Sequence, residues 1–566
     1  MNDLNVHKPT NHRTAFAILF LFFLLAYMLP LGARDLLVPD ETRYGEIPRE
    51  MIVSGDWVVP HLNGVRYFEK PVLGYWVHAG SLLLFGENAF AVRLPSALAV
   101  GLSALLIFLL ARQATRNQDQ DGGVAAILSA LIFLSCFEVF GVGNTAVLDS
   151  LFSFFLTACI TAFYFATEEG PGSSKEKEFL LLAGLACGLA FLTKGFLAFV
   201  LPVLALVPYL AWQRRYVDLF RMSWLPILTA VMVALPWGIL IHLKEPDFWR
   251  FFFWNEHVRR FMAESAQHKE SFWFFFIAAP GLFMPWTFVA PAAATAIKDQ
   301  LDKQSPKSNL LKLCICWMVY PFLFFSLSKG KLLTYILPCF SPFAVLMGIG
   351  LSSPTNKQNR KILQYGIAAT GLFLVIIFLA LLSIQLIGFR GFHLYRQSWK
   401  PVLLASGLFF MILFSFWSLH NNDTVHKVII FGCAPFLFFL VGHFIIPNLV
   451  IEESAPGRLL EKHRAQIQPD TAIISCEDAV GAADWFLKRD DVYLLKAAGE
   501  LDYGLDYQDA SGRLLDTESA IRIINENKGH TVLICKAEKI RNRQKGLPAP
   551  VYREVSGPKG YEFWRY

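Results

Sequence analysis

Two short polar stretches near the beginning of the chain bring acidic, basic and aromatic side chains together between apolar segments. The first is PDETRYGE at residues 39–46, and the second is YFEKP at residues 67–71. Adjacent carboxylates beside a membrane cost free energy unless they are solvated or used. Arg and Lys are well suited to hold the oxygens of a phosphate group. The two stretches therefore predict chemistry on a phosphate that a lipid carries.

The composition is typical of a membrane protein. Hydrophobic residues make up 55% of the 566 residues, charged residues only 17%, and the mean hydropathy is +0.43. A soluble protein carries about 25% charged residues. The net charge of +6 is modest and fits basic loops at a membrane, so nucleic acid is not an expected partner.

The apolar runs predict a polytopic all-α membrane domain with about thirteen spans. The spans cover residues 14–33, 91–112, 122–141, 147–167, 178–193, 196–213, 222–243, 272–297, 309–327, 331–352, 361–388, 400–419 and 426–449. The short apolar segment 72–86 is predicted to be re-entrant or interfacial. Lys and Arg are concentrated in the loops that this arrangement assigns to the cytoplasm, as the positive-inside rule requires. Segments 34–90 and 244–271 and the tail 450–566 then lie outside.

The tail differs in kind from the membrane domain at residues 1–449. Short apolar runs at 472–476, 492–495 and 531–535 alternate with polar helical stretches at 457–468 and 516–527. This pattern predicts a small α/β domain at residues 450–566. Cys476 and Cys535 end two of the apolar runs, and they fit either a disulfide or two packed core thiols.

With this sidedness, the polar residues that stand out lie on one face of the membrane domain. They are Asp40, Glu41, Arg43, Tyr44, Tyr67, Glu69, Lys70, Asn144, Asp149, Lys194, Glu256, His257, Arg259, Arg260, His268, Lys329, Lys331 and Tyr335. A lipid phosphate needs such a cationic rim beside an apolar groove. Ordinary roles remain open for several of them: Asp40 can cap a helix, Asp149 can interact with a helix dipole, and the lysines can anchor to lipid headgroups.

Three sequence elements carry a family resemblance. They are DETRYGEIPREMIVSGDWVVPHLNGVRYFEKP at 40–71, EHVRRFM with AQHK at 256–269, and SKGKLLTYILP at 328–338. They resemble the lipid A 4-amino-4-deoxy-L-arabinose transferases, relatives of the protein O-mannosyltransferases. The resemblance covers essentially the whole chain. It implies the C-type glycosyltransferase fold in a bacterial inner membrane, with the active site and the C-terminal α/β domain in the periplasm.

The resemblance also implies a reaction and roles for residues. The donor would be a sugar on undecaprenyl phosphate, the acceptor a lipid A phosphate, and the phenotype polymyxin resistance. Asp40, Asp149 and Lys70 would be catalytic. The substrate contacts would be Glu41, Arg43, Tyr44, Tyr67, Lys194, Arg259, Arg260, Lys331 and Tyr335. Glu69 and His257 would hold a divalent metal ion such as zinc. No nucleotide cofactor is expected, since the chain has no Gly-rich phosphate loop.

Two other functions are weighed against this one. A protein O-mannosyltransferase, or another enzyme using a polyprenyl-phosphate sugar, would share the fold and differ in its acceptor. A lipid or ion transporter would place ionisable groups near the middle of the membrane. The charged residues here lie mainly at the ends of spans, which favours an enzyme.

Overall fold

The computed structural model describes residues 12–115, 122–259, 269–298, 300–301, 305–352, 357–388 and 393–566. Within them, the α-helices of the first part are His12–Phe23, Asp40–Ser54, Leu73–Phe85, Ala89–Thr115, Gly122–Ser135, Phe137–Gly143, Leu148–Glu168, Ser174–Lys194, Leu197–Trp212, Tyr216–Arg221, Trp224–Lys244, Phe274–Leu282, Ala290–Lys298, Pro306–Leu327, Phe340–Ser352, Lys357–Ile387, Trp399–Leu419, Thr424–Gly432 and Phe436–Val441. Leu24–Met28 and Arg250–Arg259 are π-helical, and Leu333–Cys339 is a 3₁₀ helix.

The protein is a multi-pass membrane protein. Eight helical stretches in the described part of the chain are long and apolar enough to cross a membrane, or nine if one bent pair counts as a single span. The eight are Ala89–Thr115, Leu148–Glu168, Tyr216–Lys244, Pro306–Leu327, Leu333–Ser352, Lys357–Ile387, Trp399–Leu419 and Thr424–Val441. Shorter apolar helices occupy several of the remaining predicted spans, so the polytopic helical class inferred from the sequence is confirmed.

Several predicted continuous spans are broken in the structure. The predicted span 122–141 consists of two helices that meet at an angle of 66° beside Cys136. The predicted span 272–297 is divided into Phe274–Leu282 and Ala290–Lys298. Proline lacks an N–H donor and ends or kinks a helix. Pro285 lies between the two helices of the second break, and Pro280 lies near the end of the first of them. The apolar runs of the sequence predict where spans lie but not where a span is broken into two helices.

The segment 72–86 forms one helix, Leu73–Phe85, of 13 residues. At 1.5 Å per residue such a helix is about 20 Å long, which is shorter than the roughly 30 Å hydrocarbon core of a bilayer. Its length fits the re-entrant or interfacial placement, which stays a prediction.

The C-terminal part is an α/β domain, as the sequence predicts. Its six-stranded sheet has the order Leu514–Leu515, Tyr493–Leu495, Ala472–Ser475, Thr531–Lys536, Tyr561–Arg565 and Tyr552–Val555. The first four strands are parallel, and the last two join antiparallel. Its α-helices are Asn448–Ser454, Gly457–Arg464, Val480–Leu487, Asp502–Leu505, Thr517–Glu526 and Ala537–Arg543, and its 3₁₀ helices are Gly499–Leu501 and Gln508–Ala510. Cys476 and Cys535 form a disulfide across two neighbouring strands, which decides between the two alternatives left open.

The C-terminal domain docks on the segment that follows the first helix of the chain. Asn63 lies in the turn between the two short strands His61–Leu62 and Val65–Arg66. Its side chain donates to the carbonyl of Val492 at 2.8 Å and accepts from the amide of Val492 at 2.9 Å. Arg513 donates to the same Asn63 side chain at 2.9 Å. The ring of Trp485 packs over Gly45 in the helix Asp40–Ser54.

Glu41 connects four parts of the membrane domain. Its carboxylate is fully buried and pairs with Arg93 at 2.6 Å and with Arg34 at 2.5 Å. It also accepts from the backbone amides of Leu37 at 2.8 Å and Ala146 at 3.2 Å. Burial alone would raise the pKa of Glu41, but the guanidinium groups of Arg93 and Arg34 outweigh it and hold the pKa at about 2. Glu41 is therefore a structural anion, and its predicted role as a substrate contact is not supported.

We expect Glu41→Gln to destabilise the protein strongly. The amide keeps the shape of the side chain but leaves two guanidinium groups without their counter-charge, and Arg93 is fully buried. Breaking a buried ion pair in this way costs about 3–5 kcal/mol. Thermal unfolding in detergent measures the loss. The control is Arg396→Gln, which breaks an exposed pair with Glu452 and is expected to cost no more than about 1 kcal/mol.

Candidate active site

A cavity of about 550 Å³ lies where the outer segments meet the ends of several helices. Its charged and tyrosine lining residues are Asp40, Arg43, Tyr44, Glu69, Lys70, Asp149, Lys194, Glu256, Lys331, Tyr335 and Glu500. Its apolar lining includes Val147, Leu148, Leu197, Phe324, Phe325, Leu332 and Leu333. Most of the residues that the sequence singled out are thus brought to one cavity, although they come from segments far apart in the chain.

Arg43 is the centre of one network in the cavity. Its guanidinium pairs with the carboxylates of Asp40 and Glu500 and donates to the Tyr67 hydroxyl at 3.0 Å. The Tyr67 hydroxyl donates in turn to Glu500 at 3.1 Å. The Asp40 side chain is 47% exposed, whereas that of Arg43 is 10% exposed. A buried cation therefore holds a carboxylate that stays open to the cavity.

Asp149 and Lys194 form a second pair. Asp149 lies in the first turn of Leu148–Glu168, and Lys194 is the last residue of Ser174–Lys194. The Lys194 amine donates to the Asp149 carboxylate at 2.5 Å, and both side chains are mostly buried. The amine also lies 5.2 Å from the centre of the Tyr335 ring, within the range of a cation–π interaction. The pair holds the Lys194 amine against the carboxylate at the N-terminus of Leu148–Glu168, on the wall of the cavity.

Lys70 joins the first outer segment to the segment Arg250–Arg259. Its amine donates to the Glu256 carboxylate at 3.3 Å and to the carbonyl of Glu69 at 2.8 Å. Lys331 also lines the cavity and is buried, and its amine donates to the carbonyl oxygens of Ser328 and Glu270. Every lysine of the cavity described here therefore meets an oxygen of the protein.

The Glu69 carboxyl group has an unusual acidity. Burial raises its pKa, the carboxylates of Glu500 and Glu256 raise it further, and the pKa reaches about 7. The effect on Glu500 is the opposite: burial would raise its pKa, but Arg43 outweighs burial and lowers it. The cavity therefore contains one carboxyl group that changes charge near neutral pH.

The described residues contain no group of three or more His, Cys, Asp or Glu side chains arranged to hold a metal ion. Glu69 lines the cavity, but the side chain of His257 lies outside what the structure describes. The divalent metal ion at Glu69 and His257 stays a prediction.

The structure places three other predicted residues differently or leaves them undescribed. Glu41 is buried among arginines and does not line the cavity. Arg259 is described only as backbone at the end of Arg250–Arg259, and Arg260 lies outside the described residues. The roles of these two arginines as substrate contacts stay predictions.

Glu500 is a cavity residue that sequence reasoning missed. It lies in a 3₁₀ turn of the C-terminal domain, more than 450 positions after its partner Arg43. Glu256 stood out as a polar residue in the sequence, but only its contact with Lys70 shows its place in the cavity. Neither residue has a motif around it that indicates this role.

The fold and the cavity define a class of protein. Helical spans carry paired acids and bases at one end, an apolar wall lies beside them, and an α/β domain closes the cavity from the other side. This is the arrangement of a C-type membrane glycosyltransferase that uses a lipid-phosphate-linked sugar.

Comparisons with known proteins identify the family. Residues 13–252 match the family model "Dolichyl-phosphate-mannose-protein mannosyltransferase", and residues 451–559 match "Arabinosyl transferase ArnT, C-terminal domain". An undecaprenyl phosphate-alpha-4-amino-4-deoxy-L-arabinose arabinosyl transferase of Shewanella sediminis is 41% identical over 87% of each chain. One of Aeromonas hydrophila is 40% identical over 87% of this chain and 88% of its own. The chain belongs to this family of arabinosyl transferases, and the resemblance inferred from its motifs is confirmed.

A solved structure shows the same fold over nearly the whole chain. The crystal structure of ArnT from Cupriavidus metallidurans bound to undecaprenyl phosphate matches with a TM-score of 0.82, at 22% identity and covering 97% of each chain. The C-type glycosyltransferase fold predicted from the sequence is therefore confirmed.

We expect Glu69 to lower the thermal stability of the protein as the pH rises from about 5 to 8. Its pKa is about 7 in the folded protein and 4.5 ordinarily, so the folded state binds a proton more tightly. The stability from this proton is fully present below about pH 4.5 and is lost as the pH rises through 7. The shift corresponds to at most about 3 kcal/mol.

Unfolding temperatures of the wild type and Glu69→Gln between pH 5 and 8 test this. The glutamine variant has no carboxyl group to titrate, so its profile should be flatter. Parallel profiles for the two proteins would contradict the assignment.

Proposed function

We propose that this enzyme transfers 4-amino-4-deoxy-L-arabinose from undecaprenyl phosphate to a phosphate group of lipid A. The observation that carries the proposal is the single cavity in which Asp40, Arg43, Lys70, Asp149 and Lys194 meet beside an apolar wall. The names of the relatives state the donor lipid and the sugar, and a solved relative holds undecaprenyl phosphate. A cavity with paired charges at the end of apolar helices suits two substrates that are both lipids with phosphate groups.

The donor phosphate is assigned to the side of the cavity that Lys70 occupies. Lys70 lies between Glu69 and Glu256, and its side chain is 18% exposed. The segment that carries Glu256 continues directly into Arg259 and Arg260, and we assign one of these two arginines to the same phosphate as a second cation. Leu332 and Leu333 are partly exposed at the cavity and offer an apolar surface for the polyprenyl chain.

In the proposed reaction, an oxygen of the lipid A phosphate attacks the anomeric carbon of the sugar. A new C–O bond forms on one face while the C–O bond to undecaprenyl phosphate breaks on the other, so the anomeric centre is inverted. The electron pair of the broken bond leaves on the undecaprenyl phosphate, and Lys70 stabilises that charge. The attacking phosphate oxygen is already anionic at neutral pH, so no strong base is required.

Asp40 is assigned to positioning of the acceptor or the sugar in the transition state. Its carboxylate is half exposed to the cavity, and Arg43 fixes its orientation. Asp149 acts through Lys194, whose amine it orients for contact with a substrate phosphate. Preorganised charges of this kind lower the barrier because no reorganisation is needed during the reaction.

The acidic residues of the cavity suit an amino sugar. Glu69, Glu256 and Glu500 all line the cavity on the side of Lys70 and Arg43, and a sugar ammonium group would find carboxylate partners there. Glu41 is buried among arginines and does not line the cavity, so it is not a candidate for this contact. The carboxylates that line the cavity, Glu69, Asp149, Glu256 and Glu500, are the candidates.

We place the enzyme in the bacterial inner membrane with its cavity and C-terminal domain in the periplasm. The disulfide between Cys476 and Cys535 supports this, because disulfides persist in oxidising compartments. Adding a cationic sugar to lipid A lowers the negative charge of the outer surface and weakens its attraction for cationic peptides. Resistance to polymyxin is the expected phenotype.

We expect Asp40→Ala and Asp40→Asn to lower transfer by roughly 100-fold or more, since both remove the charge that faces the cavity. The test is the mass spectrum of lipid A from cells that express each variant at wild-type level. Wild-type cells should show an added pentosamine, and the variants should not. Asp470→Asn is the control, because Asp470 lies on the exposed surface of the C-terminal domain.

The same spectra address the rival acceptor. Unmodified lipid A in wild-type cells, together with a newly glycosylated protein, would move the acceptor to protein. Near-native transfer by both Asp40 variants would remove Asp40 from the mechanism.

We expect Asp149→Asn and Lys194→Met to be strongly non-additive. Each side chain loses its partner when the other is changed, so either single variant should lower kcat about 10- to 100-fold. The double variant should be little worse than the more damaged single variant. Transfer rates measured with purified enzyme in detergent give the coupling, and independent losses that multiply would show that the two residues act separately.

A further inference from the structure

The C-terminal domain forms hydrogen bonds with the start of the segment that carries Glu256. This clamp consists of Tyr503, Tyr507 and Asp509 on the C-terminal domain and of Arg66, Glu245 and Asp247 on the membrane domain. Both tyrosine hydroxyls donate to the same oxygen of Asp247, each at 2.5 Å. Two phenol donors on one carboxylate oxygen make a strong, charge-assisted contact.

Arg66 ties the same clamp to the first outer segment. Its guanidinium donates to Glu245 at 2.7 Å and to Asp509 at 2.6 Å, and lies 4.2 Å from the centre of the Tyr507 ring. Arg66 directly precedes the stretch 67–71 that contains Lys70. The clamp therefore holds both cavity segments, one through Arg66 and the other through Asp247.

Aromatic packing continues from the clamp along the segment. The Tyr503 ring lies 4.3 Å from the Phe251 ring, measured between centroids. Phe248 and Phe252 are fully buried, and Phe248 packs against Phe68 at 5.2 Å. Five residues beyond Phe251, Glu256 meets Lys70 at the cavity. An anchor at Asp247 thus sets where Glu256 meets Lys70.

We propose that Asp247 is a positioning residue for binding of the lipid-linked donor. Together with Tyr503 and Tyr507 it fixes the segment Arg250–Arg259 against the loop that carries Lys70. The proposal rests on the proposed function in one respect, the assignment of the donor phosphate to Lys70. Asp247 does not line the cavity, so its effect on the substrate is exerted through the segment it holds.

Two phenols that share one acceptor oxygen allow a sharp test. Tyr503→Phe and Tyr507→Phe each leave one hydroxyl on Asp247, so each should change the KM for the donor by less than about threefold. The double variant removes both and should raise that KM roughly tenfold, with kcat changed much less. Tyr552→Phe is the matched control: it removes an exposed hydroxyl of the same domain whose partner is Glu554.

Binding and geometry are measured separately from transfer. Binding of undecaprenyl phosphate alone reports the donor site whatever the acceptor is. Spin labels at Trp254→Cys and Leu514→Cys, both exposed positions, report the distance from the segment to the C-terminal domain. If the double variant does not fold, Asp247→Asn replaces it, since the amide keeps an acceptor oxygen but loses the charge.

A broader distance distribution together with weaker undecaprenyl phosphate binding in the double variant supports the proposal. An unchanged distribution, or unchanged binding despite a broader distribution, overturns it. Loss of kcat with an unchanged donor KM also overturns it. Failure of the proposed function is distinguishable, because wild-type enzyme would then bind undecaprenyl phosphate without modifying lipid A.

Discussion

The rest of the cavity depends on the hydrogen bonds and ion pairs of the buried Glu41 carboxylate. One buried anion accepts from two guanidinium groups and two backbone amides, and so joins Arg34, the helix Ala89–Thr115, the helix Asp40–Ser54 and the turn at Ala146. Asp40 begins one of these elements, and Asp149 lies three residues after Ala146. Two acidic residues proposed for the reaction are thus held at a fixed separation by a third that is buried and does not line the cavity.

A second constraint is the balance of charge inside the cavity. Arg43 pairs with Asp40 and Glu500, Lys70 with Glu256, and Lys194 with Asp149. Unpaired charges in such a partly buried space would cost several kcal/mol each. The pairing keeps the ligand-free cavity stable, and each pair presents a cation beside a carboxylate to whatever enters. A substrate phosphate can share the cation of a pair, and a substrate ammonium group can share its carboxylate. A substrate that carries both groups enters without a large change in the total charge of the cavity.

The sequence was sufficient for the class of fold and for most of the cavity, because both leave local signals. Long apolar runs indicate spans, and the stretches at 39–46 and 67–71 put charged residues where a membrane segment ends. It did not show that Glu41 is buried away from the cavity, since neighbouring residues on a helix point about 100° apart and the sequence does not say which of Asp40 and Glu41 faces inward. It failed at Glu500 for another reason: nothing near that residue records that Arg43 lies beside it in space. The breaks within spans and the pairing of Cys476 with Cys535 likewise depend on tertiary packing.

The distance along the chain between Arg43 and Glu500 has a consequence for biosynthesis. The helices that form most of the cavity are made before the last domain of the chain. Glu500 and the tyrosines at 503 and 507 arrive only when that domain has been made and has folded. A chain that stops before this domain lacks the Glu500 carboxylate in the cavity and both hydroxyl donors to Asp247.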